Sequence, residues 1–191
     1  MKKALCALLA LLLALSVAAC GKKVPTPSET VSAALDALKS GDMTAAAETW
    51  GGSISSIENS TDSDADIFKL LFKNLTYSVL SETEDGSAAT VKVKLSNTDM
   101  SAVMGDVLAE AMQTALSSAL SGKEMDETKT QKMVMDSLKD KMTNGSYGTA
   151  EKEVEFQLTM TDGVWTLSQP DDTVIDALTG GLMSAGTSLL G

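Results

Sequence analysis

The sequence predicts an α+β fold in which N-terminal helices pack on a curved antiparallel sheet of about four strands, with an inserted helical hairpin and a C-terminal helix. Apolar residues recur at helical spacing over residues 27–50 and 64–75, and they alternate over 77–95 and 150–167. A long helical stretch over 99–142 separates the two alternating regions. With 191 residues, 43% of them apolar, the chain is long enough to bury one core.

The predicted helical part begins at Thr26-Pro27-Ser28-Glu29, which has the pattern of a capping box with proline at the first helical position. Its apolar positions recur at i, i+4 and i+7, namely Val31, Leu35 and Leu38. Gly41 predicts the end of this helix, and Asp42 predicts the N-cap of a second one. After a polar loop, a third helix is predicted to begin at Asp64 or Asp66.

The first predicted strand pair consists of a short strand at Tyr77 and Val79 and a longer, half-buried one. An acidic turn, Glu82–Ser87, is predicted between them. The buried set of the longer strand is Ala89, Val91, Val93 and Leu95.

The second strand pair has the clearer signal, because alternation continues from Ala150 to Met160 with Lys152 as the one charge on the inward side. Asp162-Gly163 is a preferred two-residue hairpin turn. Folding about it would pair Met160 with Trp165 and, two residues on, Leu158 with Leu167.

Between the strand pairs, Asp99 to Leu120 predicts a long helix with one wide apolar stripe. The turn Gly122–Asp126 leads into a partner helix that is predicted to end near Met142, which completes a helical hairpin over 99–142. Apolar spacing from Val174 to Leu189 predicts a last helix, which three glycines weaken.

Residues 1–19 have the layout of a secretory signal peptide: two lysines, then an apolar run, then small residues before Cys20. The 16 apolar or small residues from 4 to 19 fall short of the roughly 20 that a spanning helix needs. Val17-Ala18-Ala19-Cys20 resembles the lipobox of bacterial lipoproteins. The resemblance implies cleavage between Ala19 and Cys20 and attachment of a diacylglycerol, with fatty acids such as palmitate, at Cys20. An ordinary secretory signal with a chance cysteine is the alternative.

The domain prediction follows from this boundary. Residues 20–27 form the lipidated N-terminus and a linker, and 28–191 form a single domain. The whole chain carries a net charge of −11, so we expect no binding to nucleic acid. We expect the protein to be located at the extracytoplasmic face of a membrane, where the N-terminal lipid would anchor it.

Several residue types that carry chemistry are absent. The sequence has no histidine and no arginine, and its cysteines are Cys6 and Cys20. Ser-His-Asp and Cys-His catalysis are therefore excluded, and we predict no catalytic residues, no metal and no cofactor. The alternating acids Glu151, Glu153 and Glu155 are interpreted as a solvated strand face, with a weak cation site as the alternative.

Residues 27–50, 75–95 and 154–167 resemble the helices and strands of domains in the nuclear-transport-factor-two-like superfamily, which has a cystatin-like α+β cone. This resemblance implies a curved sheet wrapped around helices and a pocket in the cone. The inserted helical hairpin and the C-terminal helix depart from the family pattern, and either would plug or relocate such a pocket. Four aromatic residues are candidates for lining a pocket, with core packing as the alternative: Trp50, Tyr77, Phe156 and Trp165.

These observations together predict a non-catalytic, membrane-anchored extracytoplasmic lipoprotein that binds a protein partner or a small apolar ligand at the cell envelope. Two alternatives stay open. One is an enzyme that uses carboxylate and lysine chemistry in a cone-shaped pocket. The other is a passive structural component of the envelope.

Overall fold

The structure is a computed structural model that describes residues 24–50, 62–122 and 126–190. The predicted leader, the cleavage site at Ala19 and Cys20, and most of the polar loop lie outside the described residues. Seven helices are described: α1 Pro27–Ser40, α2 Met43–Thr49, α3 Asp62–Phe72, α4 Met100–Leu120, α5 Glu127–Asn144, α6 Asp172–Leu178 and α7 Leu182–Leu190. The strands are β1 Thr76–Asp85, β2 Ala88–Thr98, β3 Thr149–Thr161 and β4 Val164–Leu167.

The N-terminal helices begin and end where the sequence predicts. Thr26 caps α1 in a complete capping box with Glu29, and Gly41 ends the helix in the left-handed region at a φ of 70°. The Asp42 carboxylate accepts a hydrogen bond from the Ala45 N–H and so caps α2. Helix α3 begins at Asp62, earlier than the predicted start at Asp64 or Asp66.

The four strands form one curved antiparallel sheet in the order β1-β2-β3-β4, so each strand pairs with the next along the chain. This confirms the predicted α+β class. Strand β1 is longer than predicted, because Glu82 to Asp85 continue to pair with β2 and only Gly86 and Ser87 form the turn. A bulge interrupts the pairing between Val79 and Ser81, and Val79 is exposed rather than inward.

The β3–β4 hairpin has the predicted register, with Met160 opposite Trp165 and Leu158 opposite Leu167. Its turn residues both have positive φ, 51° at Asp162 and 79° at Gly163, as a two-residue hairpin turn requires.

Lys152 lies on the inward side of β3, as predicted, opposite the fully buried Leu95. Its side chain is 46% exposed, and Nζ lies 3.6 Å from Asp176 Oδ2. The long aliphatic stem explains this, because it lets the ammonium group reach solvent from a position whose neighbours are buried.

The core lies between one face of the sheet and helices α1, α2, α3 and α6. Because alternate residues of β2 and β3 point to this face, both strands contribute their apolar set to it. Each fully buried Val, Leu or Phe side chain contributes about 1.5–3 kcal/mol to folding. The fully buried centre includes Val31, Leu35, Leu75, Val91, Val93 and Leu95.

One buried polar side chain joins three elements of this core. Asn97, which has no exposed surface, donates from Nδ2 to the Leu71 carbonyl at 2.9 Å and to the Leu178 carbonyl at 2.7 Å. Its Oδ1 accepts from the Thr98 N–H. The amide therefore connects β2 to the ends of α3 and α6.

The predicted single C-terminal helix is two helices, α6 and α7. Gly180 and Gly181 between them have φ of 64° and 84°, which a continuing helix excludes. A side chain at Gly180 would overlap the Thr98 carbonyl oxygen, so glycine is required for this close approach.

The fold has two distinct ends. The β1–β2 and β3–β4 turns meet at one end, where Met160 N donates to Ser87 O. The chain enters α1 at that same end, since the Ser28 N–H donates to Glu82 of β1 at 2.8 Å. Strand β2 then carries the chain about 35 Å to the other end, where α4 begins after Asp99.

Candidate binding site on the helical hairpin

The predicted helical hairpin is confirmed as α4 and α5, and its root is tied to the rest of the protein. The Asp99 carboxylate caps α4 by accepting hydrogen bonds from the backbone N–H groups two and three residues later. The Asp99 N–H donates to Gly148 O, and the Met100 N–H donates to Gly180 O, both at 2.9 Å. The root is thus held against the start of β3 and the α6–α7 connection.

The first two turns of α4 are covered. Met100, Val103 and Val107 are buried where α4 packs against α7, which contributes the buried Ala185. These residues form the inner side of the hairpin and extend the apolar interior of the protein beyond the sheet.

Polar contacts fix the two helices of the hairpin side by side. Glu110 of α4 accepts hydrogen bonds from Ser137 Oγ at 2.7 Å and lies 3.2 Å from Lys141 Nζ of α5. The Ser137 hydroxyl and then the Lys141 ammonium group hold the pKa of Glu110 below its ordinary value. The Tyr147 hydroxyl donates to Asp106 at 2.9 Å. Burial, followed by this carboxylate, raises the pKa of Tyr147.

Beyond Val107, α4 presents an uncovered apolar row to solvent. Residues four apart lie on one helix face, and the four members of this row are 39, 64, 62 and 82% exposed in order. We call this set the α4 row: Leu108, Met112, Leu116 and Leu120. The small residues Gly105, Ala109 and Ala119 on the same side of the helix are exposed too.

The prediction of one wide stripe is therefore only half right, because its inner side is covered and its outer side is not. Helix α5 is too polar to cover more. It contributes no buried residue along its whole described length, and its Met135 is 40% exposed. One neighbouring helix covers only one side of another, and the stripe on α4 is wider than that.

The outer half of α4 is also uncharged. No Asp, Glu or Lys occurs from Ala111 to Gly122, although the chain as a whole carries a net charge of −11. A partner that covers this surface therefore does not have to desolvate a charged side chain of α4.

Two surface depressions lie near charged residues instead. One of about 450 Å³ lies between α4 and α5 and is lined by Glu110, Lys129, Lys132, Asp136 and Asp140 together with Met133 and Ser137. Another of about 480 Å³ lies beside β3 and α6 and includes Lys92, Glu153 and Asp171. Both are open and mix charges of both signs, so neither favours an apolar ligand.

The four aromatic pocket candidates lie in or beside the packed core, and none lines these depressions. Trp50 and Phe156 form an edge-to-face pair with ring centroids 5.9 Å apart, and Trp50 Nε1 donates to Ala34 O at 3.1 Å. Trp165 is buried on β4.

Tyr77, the fourth candidate, is half-buried at the edge of the sheet, and its hydroxyl donates to Ser32 O or Asp36. Burial is the main cause that raises the pKa of Tyr77, with the Asp36 carboxylate contributing. The resemblance to a cone-shaped fold implies a pocket, and that pocket stays a prediction. Trp50 and Phe156 pack against each other, and Trp165 is buried.

The acids on the outer face of β3 form a charged ladder with β2. Lys92 Nζ lies 2.7 Å from Glu153, and Lys94 Nζ lies 2.8 Å from Glu151. The hydrogen bond with Glu153 is the main cause that raises the pKa of Lys92. This arrangement fits the solvated-face interpretation, because exposed lysines neutralise the acids.

The nearest approach to carboxylate–lysine chemistry is Asp176, which is 8% exposed. It accepts hydrogen bonds from the Ser184 N–H at 2.9 Å and the Ser184 hydroxyl at 2.8 Å, with Lys152 Nζ at 3.6 Å. Burial alone would raise the pKa of Asp176, but the bonds from Ser184 and the Lys152 charge outweigh it and lower the pKa. No pattern in the sequence indicates this contact, because its residues come from three separate elements.

Among residues 24–50, 62–122 and 126–190, no cluster of three or more Cys, His, Asp or Glu is arranged to hold a metal ion. Within the same residues, every helix is too short or too polar to cross a membrane.

Comparison with known proteins adds one distant similarity. No protein-family profile matches the sequence, and the comparison with curated proteins finds no match. Among solved structures, the chain is similar to a candidate lipoprotein (ycdA) from Bacillus subtilis, with 14% identity and a TM-score of 0.46. The similarity covers 79% of this chain and 44% of that chain, so this chain spans less than half the length of its neighbour. Similarity at this level assigns neither a family nor a function.

Proposed function

We propose that this protein is a lipid-anchored extracytoplasmic lipoprotein of the cell envelope that acts without catalysis, by binding a protein partner through the outer half of α4. The observation that carries this proposal is the α4 row, which is exposed to solvent, whereas the apolar sets of β2 and β3 are buried in the core.

The size of the exposed surface supports a binding role. The α4 row exposes on the order of 500 Å² of apolar surface, which is within the range where the largest patch on a monomer is often functional. Covering it would contribute roughly 12 kcal/mol before the entropic costs of association. Four large apolar residues at a spacing of four would not stabilise a helix surface that only faced solvent.

The shape and charge of the surface favour protein over other partners. A convex helix face does not enclose a small ligand. It has no lysine or arginine to attract phosphates or anionic lipid headgroups. A second amphipathic helix or an apolar groove on a protein would cover it.

The proposed anchor gives this surface an orientation. Two acyl chains make a stable tether, and the seven residues from Cys20 to Thr26 span at most about 25 Å. The described chain enters at the β-turn end, and the hairpin root lies at the opposite end of β2. The anchored domain would then hold the root of the hairpin on the side away from the bilayer.

The absence of histidine and arginine from the sequence supports a non-catalytic role. For the rival interpretation, an enzyme using a carboxylate and a lysine, the most buried carboxylate beside a lysine in the described part of the chain is Asp176, near Lys152. Asp176 is already bonded to Ser184 and joins α6 to α7, which favours a structural role for it.

Membrane fractionation tests the anchor. Replacing Cys20 with Ser removes the thiol that would carry the lipid, so the variant should leave the membrane fraction, and the native protein should have the mass of a diacylated chain that begins at residue 20. A variant that stays with the membrane, or a native thiol without lipid, contradicts the anchor.

Photo-crosslinking in intact cells tests the surface. A photoreactive amino acid at Leu116 should give discrete crosslinked products, because this position lies at the centre of the row. The matched control is Lys132, an exposed position on α5 outside the row. Equal products at both positions, or none at either, would contradict the proposal and favour a passive envelope component.

A further inference from the structure

We infer that the partner covering the α4 row is a second copy of this chain, so that two anchored copies associate through their hairpins. This inference rests on the proposed function, and it names the partner of the same surface.

The geometry of the row suits packing against itself. Leu108, Met112, Leu116 and Leu120 form a ridge of the i±4 type. The commonest class of helix packing interdigitates ridges of this type from both helices. Identical helices supply identical ridges, so a two-fold axis through the contact satisfies both copies at once.

Small residues beside the ridge provide the grooves that such packing needs. Gly105, Ala109 and Ala119 are exposed on the same side of α4. Nothing lies within 4 Å of the position that a side chain at Gly105 would occupy, so a second helix can approach the backbone there.

Charge restricts where two copies can meet. Each anchored copy lacks Lys2 and Lys3 of the leader, so it keeps 13 lysines against 26 acidic residues, a net charge of −13, and most of its surface repels an identical copy. The uncharged stretch from Ala111 to Gly122 is where two copies approach without that repulsion, and it coincides with the centre of the row.

The area fits a reversible dimer. About 500 Å² from each copy gives a total near 1,000 Å², which is at the lower bound of specific interfaces. Anchoring would compensate for the small area, because it confines both copies to one surface with their hairpin roots at the same height and raises their effective concentration.

The test uses two full-length copies with different epitope tags, expressed together in one cell, with a photoreactive amino acid at Met112. Crosslinking should give a product that carries both tags and has twice the mass of one copy. Adding Leu116→Ser should lower its yield at least about fivefold, because a polar side chain then lies at the centre of the contact. Val164→Ser is the matched control, since Val164 is 54% exposed on β4, away from the hairpin.

Each outcome decides between the two proposals. A product that joins this chain to a different protein overturns the inference and leaves the proposed function standing. No product at Met112 or at Leu116 overturns both. A two-tag product that Leu116→Ser does not reduce overturns the assignment to the α4 row, provided that thermal unfolding shows the variant to be folded.

Discussion

The β3–β4 hairpin and the α4–α5 hairpin have equally clear apolar patterns, but only the first has its pattern covered. Leu158, Trp165 and Leu167 are buried in the core, and their register matches the prediction from the sequence. In α4 the inner residues Met100 to Val107 are buried, whereas the outer row is open to solvent.

The difference shows that periodicity identifies which residues share a face but not what covers that face. A strand in a sheet with one solvated face has only one apolar side, so alternation specifies its packing. When the apolar stripe of a helix is wider than one neighbouring helix can cover, part of the stripe stays exposed. In this chain the exposed part of the α4 stripe is uncharged and has Met112 and Leu116 at its centre.

The largest expected effect is the difference in lost stability between replacing a buried leucine and replacing an exposed one. Leu158→Ala, at a position 2% exposed, should lower the free energy of unfolding by about 2–5 kcal/mol through lost burial and a cavity. Leu116→Ala should change it by less than about 0.5 kcal/mol, as surface substitutions do. Chemical denaturation of both variants at low protein concentration measures the contrast.

A loss of stability in Leu116→Ala comparable to that in Leu158→Ala would mean that the row is covered within one copy. That result would contradict the description of the row as an open surface.

A smaller effect is expected from two glycines with the same backbone conformation, one in the closely packed α6–α7 connection and one after the end of α4. Gly180 and Gly122 have φ of 64° and 62°, so alanine at either costs about 1 kcal/mol in backbone strain. At Gly180 the new methyl group would also overlap the Thr98 carbonyl, whereas Gly122 has open space around it. Gly180→Ala should therefore lose about 2 kcal/mol more than Gly122→Ala. Equal thermal midpoints would refute the close contact between β2 and the α6–α7 connection.

The smallest effect concerns pH and compares Asp176 with the exposed Asp136 of α5. Because the pKa of Asp176 is lowered in the folded protein, its carboxylate stabilises the fold above the ordinary aspartate pKa, and this contribution is lost as the pH falls below about 4. Asp176→Asn should cost about 1 kcal/mol at pH 7 and should flatten the decline of stability at acid pH.

Asp136→Asn serves as the control for this pH series, because its carboxylate is 61% exposed beside Lys132. Its unfolding curve should keep the acid-side slope of the parent protein. A parent-like slope in Asp176→Asn would show that the bonds from Ser184 do not couple this carboxylate to folding.

Local chemistry made much of the fold predictable. The capping box at Thr26, the glycine stop at Gly41 and the Asp162-Gly163 turn each depend on neighbouring residues alone, and the structure confirms them. The alternation of apolar and polar residues predicts which residues of the strands are buried, because each strand has one solvated face.

The features that were not predicted depend on distant contacts. Asn97 reads as an ordinary strand residue, yet it binds carbonyls of α3 and α6. Asp176 and Ser184 meet only because two glycines turn the chain between their helices. The open row did leave one sign in the sequence, namely twelve uncharged residues from Ala111 to Gly122 in an otherwise acidic chain.

The chain enters beside Glu82, which pairs with Val91 of β2, so the rest of β2 keeps this entry point about 25 Å from the base of the helical arm at Asp99. A bulky group fused ahead of Thr26, or a solid support to which that end is coupled, is therefore kept away from the root of the arm. Immobilised by its front end, the protein would hold Asp99 off the support, which suits surface-binding measurements without redesigning the domain.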